Sequence, residues 1–494
     1  MERYVMVIDE GTTGTRALIF DKKFNVVSQA YEEITQYTPK EDRVEHDPEE
    51  IYEKSVAMCR KALESGKIDP KNIDCIGITN QRNTLVLWDK TTGRPLHKAI
   101  VWQDTRIGDV CRDVKKTEWF DKILQTTGKV TAPHSVVLLA KWLIDNVPEV
   151  KAKVEKGEAL LGTIDSWLVW KLTAGKTHAT CFSNASSGGY LNIHKGVLAS
   201  EFISHFGVPE SLFPKVQSES SDYGVTEVFG APISITGVIA DQQSALFAEG
   251  CYEKGTVKCT NGTGTFMDIN IGTNCVVAPG GLDTLIAWKL KDEIVYAVEG
   301  FEAVTGAAVQ WLRDGLEIIA SSKETEAIAS SVSDSNGVYF VPALAGLITP
   351  QQDPFARGLI IGLNMGVKKA HIVRATLEGI AFRTKDIIDV VERETGIKII
   401  EMKIDGGASQ NDLLAQLMAD YMNAAVSRPK LVEATSIGAA QMAGLHTGFY
   451  KWEDFEASHE IQDVFKPKLS AIERNEKYAV WKKAIERAQD WLTS

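Results

Sequence analysis

No run of roughly 20 apolar residues, the length a membrane-spanning helix needs, occurs in this 494-residue chain. Cysteine is sparse: seven residues, odd in number and never in CxxC spacing, read as buried reduced thiols rather than a disulfide framework or zinc site. Basic residues are outnumbered, 54 Lys and Arg against 66 Asp and Glu, and a net charge of −12 argues against nucleic acid as a partner. The N-terminus enters a strand-type run at once, without the basic segment and apolar core of an export signal, so a cytoplasmic location is expected. The familiar nucleotide motifs are missing too. There is no GxxxxGK(S/T) loop, no GxGxxG behind a strand, and no HRD or DFG set.

What is present describes a large globular protein. Hydrophobic content of 44% and charged content of 24% are ordinary for such chains. One core stops growing near roughly 250 to 300 residues, so two domains are expected, 1–247 and 248–494. Strand-type runs alternate with amphipathic helices, the pattern of an α/β protein. Asp47-Pro48-Glu49-Glu50 carries an N-cap acid, a proline at the first helical position and a capping-box glutamate, opening a helix to about Leu63. Ile73–Thr79, Thr84–Trp88, Gly162–Trp167 and Ile233–Ile239 continue the alternation. In the second half Ala370–Val391 and Asp412–Asn423 read as helices, and Tyr478, Trp481, Ile485, Ala488 and Leu492 fall on one helical face that reads as core packing.

One device occurs twice, once in each half: a β-type run, a Gly-Thr turn and a second β-type run. The first copy runs from Val5 to Phe20 around Gly11-Thr12-Thr13-Gly14, the second from Thr256 to Met267 around Gly262-Thr263-Gly264. Such a tip lets backbone approach a ligand closely, and its N–H and hydroxyl groups can donate to phosphate oxygens. Either copy alone reads equally as a surface hairpin. Asp9 separates the two readings, because an acid closing an apolar strand before such a turn suits Mg²⁺ held through water better than it suits packing. Asp241 poses a similar choice. It ends the strand-type run Ile233–Ala240 and precedes a helix, as an N-cap or as a base at the mouth of a cleft.

Asp9–Thr13, Ile78–Arg82, Ala99–Gln103, Asp241-Gln242-Gln243, Gly262-Thr263-Gly264, Gly306 with Gln310, Arg374–Glu378 and Asp405–Ala408 together resemble the FGGY carbohydrate kinases. Val44–Pro48 and Gln310–Asp314 are similar to the glycerol kinases within that family. The resemblance spans nearly the whole chain. It implies two ribonuclease H-like domains of the actin and hexokinase type, with ATP and substrate in the cleft between them. It further implies an ATP-dependent polyol kinase with Mg²⁺, working as a homo-oligomer, dimer or tetramer.

By that resemblance Asp241 is the general base that takes the hydroxyl proton. Thr12, Thr13, Gly14 and Arg16 correspond to the first phosphate loop, Thr263 to the hydroxyl of the second, Gly306 and Gln310 to a nucleotide-contacting pair, and Gly407, Ala408 and Asn411 to the adenosine loop. Asp9 and Asp241 correspond to the metal-binding acids. Arg82, Trp102, Asp241, Gln242 and Phe266 correspond to the polyol pocket.

Several pocket positions depart from the family. Asn83 stands for a glutamate, His134 for a tyrosine, and Val136 and Leu139 for a small hydroxyl residue and a lysine, while the Gly346–Asp353 loop lacks the aromatic form. An amide bonds a hydroxyl more weakly than a carboxylate does. His134 is then either a donor to a different or larger polyol (a tetritol, pentitol, inositol or ketose) or a loop histidine with no ligand. Non-enzymatic relatives of this fold, the actin-like filaments and chaperones, give no reason for Arg82 and Trp102 beside an acid such as Asp241. A binding-only sensor gives none for an intact Asp9, Thr12, Thr263 and Asp241.

Overall fold

The computed structural model describes residues 2–431 and 433–492. Two sheets carry the chain, and they repeat one topology. The first is ordered Val225–Thr226, Ile233–Ala240, Ile73–Asn80, Tyr4–Glu10, Gly14–Phe20, Val26–Glu33. The second is ordered Asp283–Leu290, Glu293–Glu302, Thr265–Gly272, Thr256–Asn261, Glu401–Asp405, Ala425–Pro429, Ile461–Phe465. In each, a hairpin leads into a third antiparallel strand, and two later strands add in parallel on the other side of the first. This doubled plan is the ribonuclease H-like arrangement.

The sequence explains which strands sit inside. Tyr4–Glu10, Ile73–Asn80 and Ile233–Ala240 are near-continuous apolar runs buried on both faces, as strands sandwiched between helices must be. Val26–Glu33 alternates, burying Ser28 and Ala30 while exposing their neighbours, which suits the sheet edge. One face of the first sheet is covered by the helix Pro48–Gly66. Asp47 caps that helix by accepting from Glu49 N–H, but Glu50 does not complete the capping box. Its carboxylate instead accepts from the Thr35 N–H and hydroxyl at 3.0 and 2.8 Å, tying the helix to the loop after the edge strand.

The other face is covered by the helix Ala434–Thr447, from the far end of the chain. It lies unusually close. A Cβ at Gly77 would come within 2.4 Å of the Ala439 carbonyl oxygen, and one at Gly237 within 2.4 Å of Ala443 N, so glycine is required on both strands. Two other elements differ from the sequence pattern. The strand Ala159–Thr163 stops where Ile164–Leu172 turns helical, so Gly162–Trp167 straddles a boundary. In the last helix, Ala471–Ala488, Tyr478, Trp481, Ile485 and Ala488 are buried, the first two against Phe382, whereas Leu492 lies beyond the helix end and is exposed.

Candidate functional site

The two hairpin tips are built alike but held differently. Gly11 N–H closes the first on Gly14 O at 3.0 Å, and Gly262 N–H closes the second on Gly264 O at 2.9 Å. At the first tip Thr13 is exposed, Thr12 Oγ1 accepts from Trp102 Nε1 at 2.9 Å, and Gly14 is tight against Tyr31. His46 and Gln81 brace it from behind. Gln81 donates to Gly11 O and shares a 3.4 Å contact with His46 Nδ1, while His46 Nε2 meets Gln36 Oε1 at 2.8 Å. Burial lowers the His46 pKa to about 4, so this ring is a neutral strut. At the second tip, Thr263 O accepts from Thr305 and Ala307 N–H and Gly262 O accepts from Gly306 N–H, clamping the turn to the start of the helix Gly306–Asp314.

Behind the second tip lies a cavity of about 590 Å³. Thr263, Gly306, Gln310, Gly407, Ala408 and Asn411, six residues singled out from sequence, all line it. Leu377, inside the Arg374–Glu378 motif, lines it as well, and so do Val309 and Leu414, which were missed because each reads as an ordinary core position of its helix. So were Lys323 and Glu326, polar residues on and before a short helix with no motif of its own. Apolar walls with a few convergent polar groups suit a flat aromatic base and a ribose. Gly406, at φ +86°, packs against Asn261, and Gly407 faces open space, so the backbone itself forms part of the floor.

Asp9 lies at the end of its strand beside the first tip. Its Oδ2 accepts from Arg16 Nη2 at 2.6 Å and from Ser436 Oγ at 2.7 Å, and Arg16 Nη1 reaches Glu433 at 2.7 Å. Asp9 Oδ1 has no donor among the described residues. No group of three or more His, Cys, Asp and Glu able to hold a metal occurs among them either.

Asp241 opens the helix Asp241–Ala248 at the end of the buried strand Ile233–Ala240. Its Oδ1 accepts from Gln242 N–H at 2.7 Å and lies 3.3 Å from Arg82 Nε. The side chain sits between the two halves yet keeps 29% exposure, so a ligand hydroxyl can reach it. Burial raises its pKa, opposed by Arg82, the Gln242 N–H and Lys258. Arg82 spans two acids, since Nη1 lies 2.7 Å from Glu299 Oε2 on the second sheet. Gln242 is held likewise: Lys258 Nζ donates to its Oε1 at 2.5 Å, which leaves its amide N–H groups for another partner.

The remaining pocket candidates take varied places. Phe266 packs on Phe301, the ring centroids 4.4 Å apart, and Thr349 N–H of the Gly346–Asp353 loop reaches Phe301 O at 3.4 Å. Trp102 is 37% exposed beyond its bond to Thr12. Asn83 is buried at φ +65°, and its Oδ1 has no hydrogen-bond partner. His134 lines a narrow crevice with Lys129, Thr131, Ser187 and Gly189. Burial, then the charges of Lys129 and Arg82, lower its pKa to about 3, so it is neutral and faces the same charges as the Arg82 cluster.

Comparison with known proteins converges on one group. The N-terminal domain of the FGGY family of carbohydrate kinases matches residues 4–248, and the C-terminal domain of that family matches residues 257–446. The chain is 47% identical over 491 residues to glycerol kinase 2 of Sulfolobus acidocaldarius, covering 99% of this chain and 98% of the relative. It is 44% identical over 492 residues to glycerol kinase 2 of Thermotoga maritima, covering 99% of each. Among solved structures, Plasmodium falciparum glycerol kinase with ADP aligns with a TM-score of 0.94 at 33% identity over 99% of this chain and 98% of that one. A xylulose kinase from Rhodospirillum rubrum shares the fold, with a TM-score of 0.87 at 21% identity over 97% and 98%.

Proposed function

The chain belongs to the FGGY family of carbohydrate kinases and is an ATP-dependent phosphotransferase, and we propose that its acceptor is a small polyol, glycerol, converted to glycerol 3-phosphate. The observation that carries this reading is Asp241: a partly open carboxylate at a helix start, flanked by Arg82 and Gln242, between the two hairpin-bearing halves. Asp241 accepts the proton of the acceptor hydroxyl as its oxygen bonds to the γ-phosphorus and the bond to the departing ADP oxygen breaks. Arg82 and the Gln242 amide orient the polyol's other hydroxyls, and Trp102 and Phe266 shield its carbon face.

On the nucleotide side, the apolar cavity takes the adenosine against Gly407, Ala408 and Asn411, with Gly306 and Gln310 on the opposite wall. Thr263 meets the phosphates from the second half; Thr12, Thr13, Gly14 and Arg16 meet them from the first. The donors at each tip are backbone N–H and hydroxyl groups, the kind phosphate oxygens accept from. Mg²⁺ bound with the nucleotide would neutralise charge on the transferred group. Asp9 fits a role toward it through its unpartnered Oδ1, and Asp241 is the second acid in reach of the reacting atoms. With one or two carboxylates and no acidic cage among the described residues, the ion would be held chiefly by phosphates and water, as is usual for Mg²⁺.

A second reading, a kinase for a larger polyol or a ketose, is favoured by Asn83 and His134, the neutral groups that replace a carboxylate and a phenol. A panel of glycerol, tetritols, pentitols, inositols and ketoses decides between them by ADP release with Mg-ATP. Fastest turnover of glycerol supports the first reading, and a clear preference for a larger polyol the second. No described helix is long and apolar enough to cross a membrane, and all seven cysteines are free thiols, which supports a cytoplasmic location. A homo-oligomer, dimer or tetramer, remains the expectation, readable by light scattering.

A further inference from the structure

Five charged residues stand side by side across the second sheet. Direct cross-strand pairing puts Asp283 beside Glu299, Glu299 beside Asp268, Asp268 beside Lys258, and Lys258 beside Lys403. Directly opposed residues share a face, so all five point the same way. That face meets the first half of the chain. Lys129 pairs with Asp283 and Arg82 with Glu299, Lys258 donates to Gln242, and Lys403 donates to the carbonyls of Glu249 and Gly250. Asp268, at the centre, is buried with neither oxygen hydrogen-bonded, 3.6 Å from Lys258 Nζ.

A buried row of this kind is an expensive way to stabilise two packed domains, since desolvation consumes most of the attraction of buried ion pairs. Its placement has a more specific consequence. Two row members hold the two neighbours of Asp241: Glu299 fixes the guanidinium on one side, Lys258 the amide on the other. Each of these bonds joins strands after residue 255 to residues before 251, so it exists only with the two sheets together.

We propose that Glu299, Asp268 and Lys258 are positioning residues for the phosphotransfer, acting through Arg82 and Gln242 to orient the acceptor at Asp241 when the second sheet docks on the first. Asp268 ties the two hooks into one unit. It stands in register between Glu299 and Lys258, and burial, then the neighbouring Glu299, raise its pKa, while Arg82 holds Glu299 ionised against its own burial. The proposal rests on the polyol kinase reading.

The test compares wild type, Glu299→Gln, Glu299→Asp and Lys258→Met on the best acceptor of the panel, with affinity for a non-hydrolysable ATP analogue measured by calorimetry. Losing the buried ion pair to Arg82 in Glu299→Gln, or the ammonium's hydrogen bond to the Gln242 amide in Lys258→Met, predicts a fall in kcat/KM for the polyol of about 10- to 100-fold. It should fall on both kcat and polyol KM, leave analogue affinity within about twofold, and be partly rescued in Glu299→Asp. A fall in kcat alone, with both affinities unchanged, would mean only that less enzyme is folded and would overturn the proposal; so would wild-type kinetics in both variants. If Glu299→Gln does not fold, Lys258→Met decides alone by the same criteria. Small-angle scattering reports the docking without turnover, with a larger radius of gyration expected for Lys258→Met and an unchanged one counting against the row. Wild type releasing no ADP with any polyol would instead refute the kinase reading.

Discussion

Replacing Asp241 with asparagine removes the proposed base while preserving shape, and the surroundings allow its effect on chemistry to be separated from its effect on folding. Arg82 would lose one of its two acids but keep Glu299 at 2.7 Å. The cost of about 3 to 5 kcal/mol that follows from stranding a buried charge is therefore avoided. The amide oxygen of the new side chain can still accept from Gln242 N–H, so the helix start is kept. The cavity behind the second tip shares no lining residue with Asp241, so nucleotide affinity should hold. What is lost is proton acceptance, commonly worth about 10² to 10⁴ in rate, equivalent to about 2.7 to 5.5 kcal/mol of barrier. Three assays resolve this: coupled ADP release at saturating polyol, calorimetry with an ATP analogue, and thermal melting. The expected result is a kcat reduced at least a hundredfold, with analogue affinity within about twofold and a melting temperature within a few degrees of wild type. A loss below tenfold at saturating substrate would refute the assignment of Asp241 as base.

Three further outcomes are expected. Asp9→Ala should lower the rate and flatten its dependence on Mg²⁺ together, measured by titrating the metal at fixed ATP; an unchanged metal dependence would remove Asp9 from that role. Asn83→Glu with His134→Tyr should raise kcat/KM for glycerol, by about tenfold for each 1.4 kcal/mol recovered, and lower it for any larger polyol the wild type accepts. Unaltered specificity in the double variant would mean that Asn83 and His134 do not set the acceptor preference. Glu10 is buried beside Ser55, and burial raises its pKa to about 8, opposed by the nearby Thr15 hydroxyl and the hydrogen bond from Ser55. The folded state then binds a proton that the unfolded state releases near 4.5, so this group's contribution is present at low pH and lost as pH rises from about 4.5 to about 8, by roughly 1.4 kcal/mol per unit. Denaturant melts of Glu10→Gln should therefore show a flatter fall in stability over that range, and parallel curves for both proteins would contradict it.

The hairpin tips, the strand leading to Asp241 and the glycines of the cavity behind the second tip were legible because each is a local pattern, readable within a dozen residues. The capping box at Glu50 failed because a tertiary partner, Thr35, outcompeted the local one. Gly162–Trp167 failed because a short apolar run carries no periodicity that separates strand from helix. The charged row was illegible for a different reason: its members lie on five strands, four of them consecutive and the fifth about a hundred residues later, and register alone aligns them. A signal was nonetheless present. Asp268 and Glu299 each place a charge inside a strand rich in apolar residues, and Lys258 follows Val257 and precedes Cys259; such residues need a buried partner. The packing of Ala434–Thr447 on the first sheet had its own faint mark in Gly77 and Gly237, glycines inside buried strands.

The most direct measurement of the whole account is stoichiometric. Purified wild-type protein is given Mg-ATP with and without glycerol, ADP is followed enzymatically, and the phosphorylated product is identified by phosphorus NMR. The expected result is ADP release that depends on glycerol, with one glycerol 3-phosphate formed per ADP and both abolished in Asp241→Asn. ADP release that proceeds equally without any polyol, or that continues undiminished in Asp241→Asn, would contradict it.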